Sequence, residues 1–113
     1  MARRPTHPGC QLSDLFRLLG EPHVLDILHL FLQEGERLRF TTIQARLAMS
    51  PNTLTERLKK LVQAGLLTRH AFNEIPPRVE YAATAKAQEL KIVFDTLTAW
   101  AGRNALEPAP VAG

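Results

Sequence analysis

Proline placement constrains this chain more than any other feature of its sequence. Eight prolines occur in 113 residues, and none falls inside a stretch with helical periodicity. The proline ring removes a backbone donor and clashes with the preceding turn, so it is tolerated at the first turn of a helix, in turns and in tails. Pro5 and Pro8 therefore mark an N-terminal arm, and Pro108 and Pro110 a C-terminal tail. Pro22 and Pro51 open helical patterns, and Pro76-Pro77 separates two extended runs. A chain this short buries roughly two thirds of its unfolded surface and does not divide into two cores, so one domain is expected.

Between these marks, apolar residues recur at helical steps. Leu12, Leu15, Phe16 and Leu19 predict a first helix that follows a Ser13 cap and ends at Gly20. Val24, Leu25, Leu28, Phe31 and Leu32 predict a second, closed by Gly35. Leu38 to Phe40 reads as extended, and Thr41 with Gln44 has the capping-box spacing of a short third helix with Ile43 and Leu47 inward. After a break at Ala48-Met49, the Ser50 hydroxyl and Pro51 open a fourth helix, in which Leu54, Leu58, Leu61 and Val62 run to Gly65. Leu66 to Phe72 and Arg78 to Ala82 predict a hairpin, turned by Asn73 to Pro77, with Val79 and Tyr81 on one face. Leu90, Val93, Leu97 and Trp100 then alternate steps of three and four, a seam suited to a partner helix. The expected class is mainly α with a small β-hairpin (α+β).

Two helices joined by about three residues and followed by a hairpin make a winged helix-turn-helix, whose second helix fits the major groove of DNA. With Leu54, Leu58 and Leu61 inward, Asn52, Glu56, Lys59, Lys60 and Gln63 face outward, and Thr53, Thr55 and Arg57 lie on the flanks. Amides read base edges, and lysines neutralise phosphate. Arg78, at the wing, is placed to enter the minor groove. Glu56 opposes this reading, because a carboxylate repels phosphate unless it accepts from a cytosine amino group. Arg39 to Glu80 carries seven Lys or Arg against Glu56, Glu74 and Glu80, whereas Cys10 to Glu36 carries Arg17 against five acids. The positive charge is thus gathered on the winged part, as a phosphate-binding surface requires.

The remaining features mainly exclude. The chain is 45% apolar and 22% charged, which rules out disorder throughout. Asp26 and His29 interrupt its greasiest stretch, so no membrane span is expected. The opening Met1-Ala2-Arg3-Arg4 runs into Pro5, His7, Pro8 and Gly9 where a signal peptide needs its apolar segment, and the cytoplasm is the expected location. His7, His23, His29 and His70 with Cys10 lack the paired spacing of a zinc site, so neither metal nor other cofactor is expected. No Gly-rich phosphate loop, paired carboxylates or Cys-His-Asp set suggests an enzyme. Cys10, the sole cysteine, precedes the first helix beside the basic arm, surroundings that favour thiolate; the plainer reading is an inert, half-buried thiol.

Ser50 to Leu61 (SPNTLTERLKKL), Gly65-Leu66-Leu67-Thr68-Arg69, the wing Ile75-Pro76-Pro77-Arg78-Val79-Glu80-Tyr81, Thr84 and Trp100 together resemble the HxlR-type helix-turn-helix family. The resemblance runs from about Cys10 to Trp100. It departs at Gly20-Glu21-Pro22-His23, where the family usually has Gly-Lys followed by Trp, at Ala87, where glycine is usual, and at Asn52, where Lys is frequent. The resemblance implies a winged-helix DNA-binding domain over residues 10–103, between a flexible arm (1–9) and a disordered tail (104–113). It also implies a dimeric, MarR-like transcription regulator, here a homodimeric repressor on an inverted-repeat operator. Many such proteins respond to electrophiles or oxidants through a cysteine ahead of the first helix, the position of Cys10. The expected dimer interface joins Leu12, Leu15, Phe16 and Leu19 to Leu90, Val93, Leu97 and Trp100, a stripe more apolar than one small domain readily covers. The alternatives are a regulator answering a small molecule without thiol sensing, and a protein-interaction module that does not bind DNA.

Overall fold

A computed structural model of the chain describes residues 8–110, the first three by backbone alone. The elements run α1 (Pro8–Leu19), α2 (Val24–Glu34), β1 (Leu38–Arg39), α3 (Phe40–Leu47), α4 (Pro51–Gln63), β2 (Leu67–Phe72), β3 (Arg78–Ala83), α5 (Ala85–Gln88) and α6 (Lys91–Arg103). The fold is mainly helical with one small antiparallel sheet, a winged helix-turn-helix in which α3 and α4 are the paired helices.

Helix α2 is the hub. Val24, Ile27, Leu28, Leu30, Phe31 and Leu32 are buried, an arc wider than a one-sided stripe, as a helix covered from several directions requires. Leu25, expected inward, lies just past the edge of that arc and is exposed, while Ile27 and Leu30 are the inward residues. Gly35 closes the helix at φ 69°, its N–H donating to the Phe31 carbonyl, a left-handed cap that glycine adopts without strain. Ile43, Met49, Leu54, Leu58, Leu61, Leu66, Leu67, Tyr81 and Ala87 complete the core.

Several boundaries differ from expectation. Helix α1 begins at Pro8 and not after a Ser13 cap, because a proline serves as an opening helical residue as well as an arm residue. Cys10 accordingly lies within the first turn of α1, and its side chain is outside the described residues. Phe40 belongs to α3, whose N-cap is Arg39 with no side-chain cap bond, so Thr41 and Gln44 form no capping box. The hairpin is also one part of a three-stranded sheet ordered β1-β3-β2. Leu38 pairs with Tyr81 and Arg39 with Glu80, which covers an edge of β3 that a lone hairpin would leave open. β2 and β3 pair from Leu67 with Ala83 to Phe72 with Arg78.

Helix α4 is closed at both ends by local chemistry. The Ser50 side chain accepts from the Thr53 N–H, and Pro51 occupies the first turn. At the other end Gly65, at φ 78°, donates to the Val62 carbonyl and Leu66 to that of Leu61. A side chain on Gly65 would also crowd the Lys86 ammonium, whose Nζ is 3.1 Å from the ideal Cβ position. Helix α5, absent from the sequence-based expectation, locks this end. Thr84 Oγ1 donates to the Gly65 carbonyl at 2.7 Å and accepts from the Ala87 N–H, while Lys86 Nζ donates to the Ala64 carbonyl. These bonds use carbonyls at the end of α4 that have no helical partner.

Candidate nucleic-acid interface

Leu54, Leu58 and Leu61 have no exposed surface, which fixes the rotation of α4 about its axis. Asn52, Thr55, Glu56, Lys59 and Gln63 are consequently exposed. Thr53 is half-buried, its hydroxyl accepting from the Ser50 hydroxyl at 3.0 Å. Arg57 and Lys60, also half-buried, turn toward the corner between α1 and α2. Arg57 Nε donates to the Pro22 carbonyl at 2.9 Å, and Lys60 Nζ to Glu21 Oε1 at 2.6 Å. The corner Gly20-Glu21-Pro22-His23, where the chain departs from the HxlR-type pattern, is therefore what the flank of α4 is bonded to.

At the wing, Arg78 is held inside the hairpin. Its guanidinium lies 4.0 Å from the centre of the Phe72 ring across the β2/β3 pair, a cation–π contact. Nε is 3.1 Å from Glu74 Oε1 and 3.6 Å from Glu80 Oε2, close enough for charge attraction but without hydrogen-bond alignment. Arg37 approaches Glu80 at 3.9 Å from the other side.

Two arginines not singled out from the sequence complete the surface. A cavity of 340 Å3 opens between α4 and the sheet, lined by Arg39, Phe40, Thr41, Thr55, Arg69, Pro77, Arg78, Val79 and Tyr81. A second, of 400 Å3, shares Thr55, Arg69 and Tyr81 with it and extends to Lys59, Val62 and Gln63. Together they form a trough along one side of α4. Among the described residues, Arg39, Lys59 and Arg69 have no ion pair or side-chain hydrogen bond. Both arginines entered the charge count of the winged region. The signal that could have marked them is their place on the strands beside α4.

The expected interface residues divide into two sets. Leu12, Phe16, Val93, Leu97 and Trp100 are exposed, together with Ile92, which sequence reasoning missed. Leu15 is half-buried. Leu19 and Leu90, in contrast, are partly buried against the domain's own core. Phe94 also packs on the core and stacks on His29 at 5.6 Å between ring centres, and every residue of α6 beyond it is exposed. His70 meets Phe72 edge-on, and His7 lies outside the described residues. Among the described residues no helix is long and apolar enough to cross a membrane.

Comparison with known proteins agrees with this architecture. Residues 18–108 match the family model of the HxlR-like helix-turn-helix. The HTH-type transcriptional regulator YodB of Bacillus subtilis is 36% identical over 92 residues, covering 80% of each chain. An uncharacterized HTH-type transcriptional regulator of Methanothermobacter thermautotrophicus is 37% identical over 70 residues, or 61% of this chain, and the match spans only 53% of that protein. The reduced form of YodB superposes with a TM-score of 0.74 at 31% identity, covering 94% of this chain and 100% of that one. Its diamide-treated form gives 0.67 at 32% identity, covering 93% and 100%. These relatives are transcription regulators and not enzymes. With the family model matched over most of its length and the helix-turn-helix and wing in place, the chain belongs to the HxlR-like helix-turn-helix family.

Proposed function

We propose that this chain is a sequence-specific DNA-binding transcription regulator that acts as a homodimeric repressor. The observation that carries the reading is the rotation of α4: three fully buried leucines hold Asn52, Thr55, Glu56, Lys59 and Gln63 outward beside a trough whose Arg39, Lys59 and Arg69 have no ion pair among the described residues. Asn52 and Gln63 supply amides for base edges, Thr53 and Thr55 hydroxyls for the backbone, and Glu56 an acceptor for a cytosine amino group. Arg57 and Lys60 set the orientation of α4 and add positive potential from its flank. Arg78 reaches a minor groove by exchanging Glu74 for phosphate.

Dimerisation rests on α6. Its nine residues past Phe94 project with an apolar stripe and no support from the domain, a condition in which so short a helix is marginal in water. A second copy covering Leu12, Phe16, Val93, Leu97 and Trp100 supplies that support. It also presents two α4 helices to successive major grooves about 34 Å apart. Fluorescence anisotropy with duplex DNA tests the reading. Binding should weaken by roughly a thousandfold between 50 and 200 mM salt, and selection of DNA on beads should return an inverted repeat. No binding at low salt would favour an interaction module.

Cys10 is the proposed point of control, supported by its place in the first turn of α1 and by the existence of YodB in reduced and diamide-treated forms. Diamide would take two electrons and two protons from two Cys10 thiols, one per protomer, leaving an intersubunit disulfide and reduced diamide. Electrophiles would instead alkylate the thiolate. Operator binding by wild type should then respond to diamide while Cys10→Ser does not; equal responses would leave a noncovalent small-molecule signal as the reading.

A further inference from the structure

We propose that Arg39 and Arg69 are the principal phosphate anchors of this protein, gripping one DNA strand in the trough between α4 and the hairpin. The inference rests on the DNA-binding reading above and assigns contacts that reading does not contain.

The cations of the winged region differ in how far their charge is already engaged. Arg57 and Lys60 are bonded to the α1–α2 corner, Arg46 pairs with Glu34, and Arg78 stands between Glu74 and Glu80. Such cations have part of their field cancelled, and Arg46, Arg57 and Lys60 also have donors committed. Arg39 and Arg69 are exposed and have no partner among the described residues, so their full charge and five-donor forks are available. A guanidinium matches two oxygens of one phosphate, a geometry that Lys59 cannot reproduce.

Both arginines are also placed on one rigid frame. Arg39 ends β1 opposite Glu80, and Arg69 lies in β2 opposite Tyr81, so both arms start from backbone fixed by the same central strand. Glu80 directs its carboxylate to Arg37 and Arg78, which leaves Arg39 unclaimed. Both arginines border one cavity with the hydroxyl-bearing Thr41 and Thr55, and that cavity continues past Arg69 toward Lys59. An open channel with cations spaced along it suits a threaded polyanion and not a single enclosed anion.

The test measures duplex binding against salt for wild type, Arg39→Gln, Arg69→Gln, the corresponding Lys variants and Arg103→Gln, a charge-matched control on α6. Each Gln variant should lower the slope of log affinity against log salt by about 0.9 per protomer and weaken binding by roughly tenfold to a hundredfold at 0.1 M salt. The Lys variants should keep most of the slope, Arg103→Gln all of it, and thermal melts should coincide because neither arginine has a partner to lose among the described residues. Wild-type slopes in both Gln variants would overturn the proposal while leaving DNA binding intact. Failure of wild type to bind at 50 mM salt would instead overturn the reading on which it rests. Displacement of DNA by inorganic phosphate, at an ionic strength where chloride has no effect, would show a small-anion site and exclude the strand grip.

Discussion

Helices α4 and α6 are both thirteen residues long, and their circumstances are opposite. α4 has Ser50 capping its start, a glycine turn and α5 closing its end, and three leucines fully buried. α6 has no side-chain cap bond at its start and buries no residue; Trp100 is 47% exposed and Leu97 55%. The domain's own packing thus fixes how α4 is presented and leaves α6 without buried residues. Under the proposed function, specificity and assembly are carried by separate elements, and substitutions should separate them.

The largest effect should come from the core under α4. Leu58→Ala removes a fully buried side chain, and about 2–5 kcal/mol of stability should be lost in urea denaturation. The same truncation at Leu97 should change the stability of an isolated monomer by less than about 0.5 kcal/mol, since its side chain is exposed. Equal losses at the two positions would break the contrast.

The next effect concerns assembly. Leu97→Glu places a charge in the apolar stripe, and sedimentation should show dimer association weakened by roughly a hundredfold, about 2.7 kcal/mol, with the far-ultraviolet spectrum unchanged. Phe16→Glu on α1 should act alike, because Phe16 is 62% exposed and shares the stripe's character. A wild type that sediments as a monomer would remove the second half of the comparison.

What could be read from the sequence follows the same division between local and distant causes. The Ser50-Pro51 start of α4, its leucines and its Gly65 end depend on neighbours within a few residues, and the structure reproduces them. Leu38 to Phe40 read as extended, but the pairing of β1 with β3 was not legible, because two residues carry no periodicity and their partners, Tyr81 and Glu80, lie some forty positions along the chain. The outward face of α4 was legible from its leucines, but not which of its cations stay free. Lys60 and Lys59 are adjacent and chemically identical, yet Lys60 meets Glu21 across 39 positions while Lys59 meets nothing among the described residues. Leu19 and Leu90 show the corresponding limit: a stripe shows which residues avoid water, not that part of their cover is the chain's own core.

A moderate effect is expected at the cap. Ser50→Ala removes the acceptor for the Thr53 N–H and should cost about 1 kcal/mol, while Ser50→Gly should cost only a few tenths. Because the cap orients the first turn, where Asn52 and Thr53 lie, DNA affinity should fall with the Ala variant more than stability alone accounts for. An unchanged affinity would mean that the leucines hold the helix without help from its start.

The smallest effect separates a tether from an ordinary surface pair. Lys91 and Asp95 join one turn of α6 at 2.9 Å with side chains 53% and 63% exposed, and water screens such pairs almost completely. Lys91→Gln should therefore be silent in every assay within about 0.3 kcal/mol. Glu21 and Lys60 are less exposed and join elements far apart in the chain, beside the Arg57 bond to the Pro22 carbonyl. Glu21→Gln keeps the side chain's shape and a neutral acceptor, so stability should fall by no more than about 0.5–1 kcal/mol. The informative readout is DNA binding. Loss of the carboxylate frees Lys60 to swing outward, and the salt slope should steepen as an additional cation faces the backbone. A slope that stays at the wild-type value would mean that Lys60 remains fixed without its partner, and that Arg57 alone ties α4 to the corner.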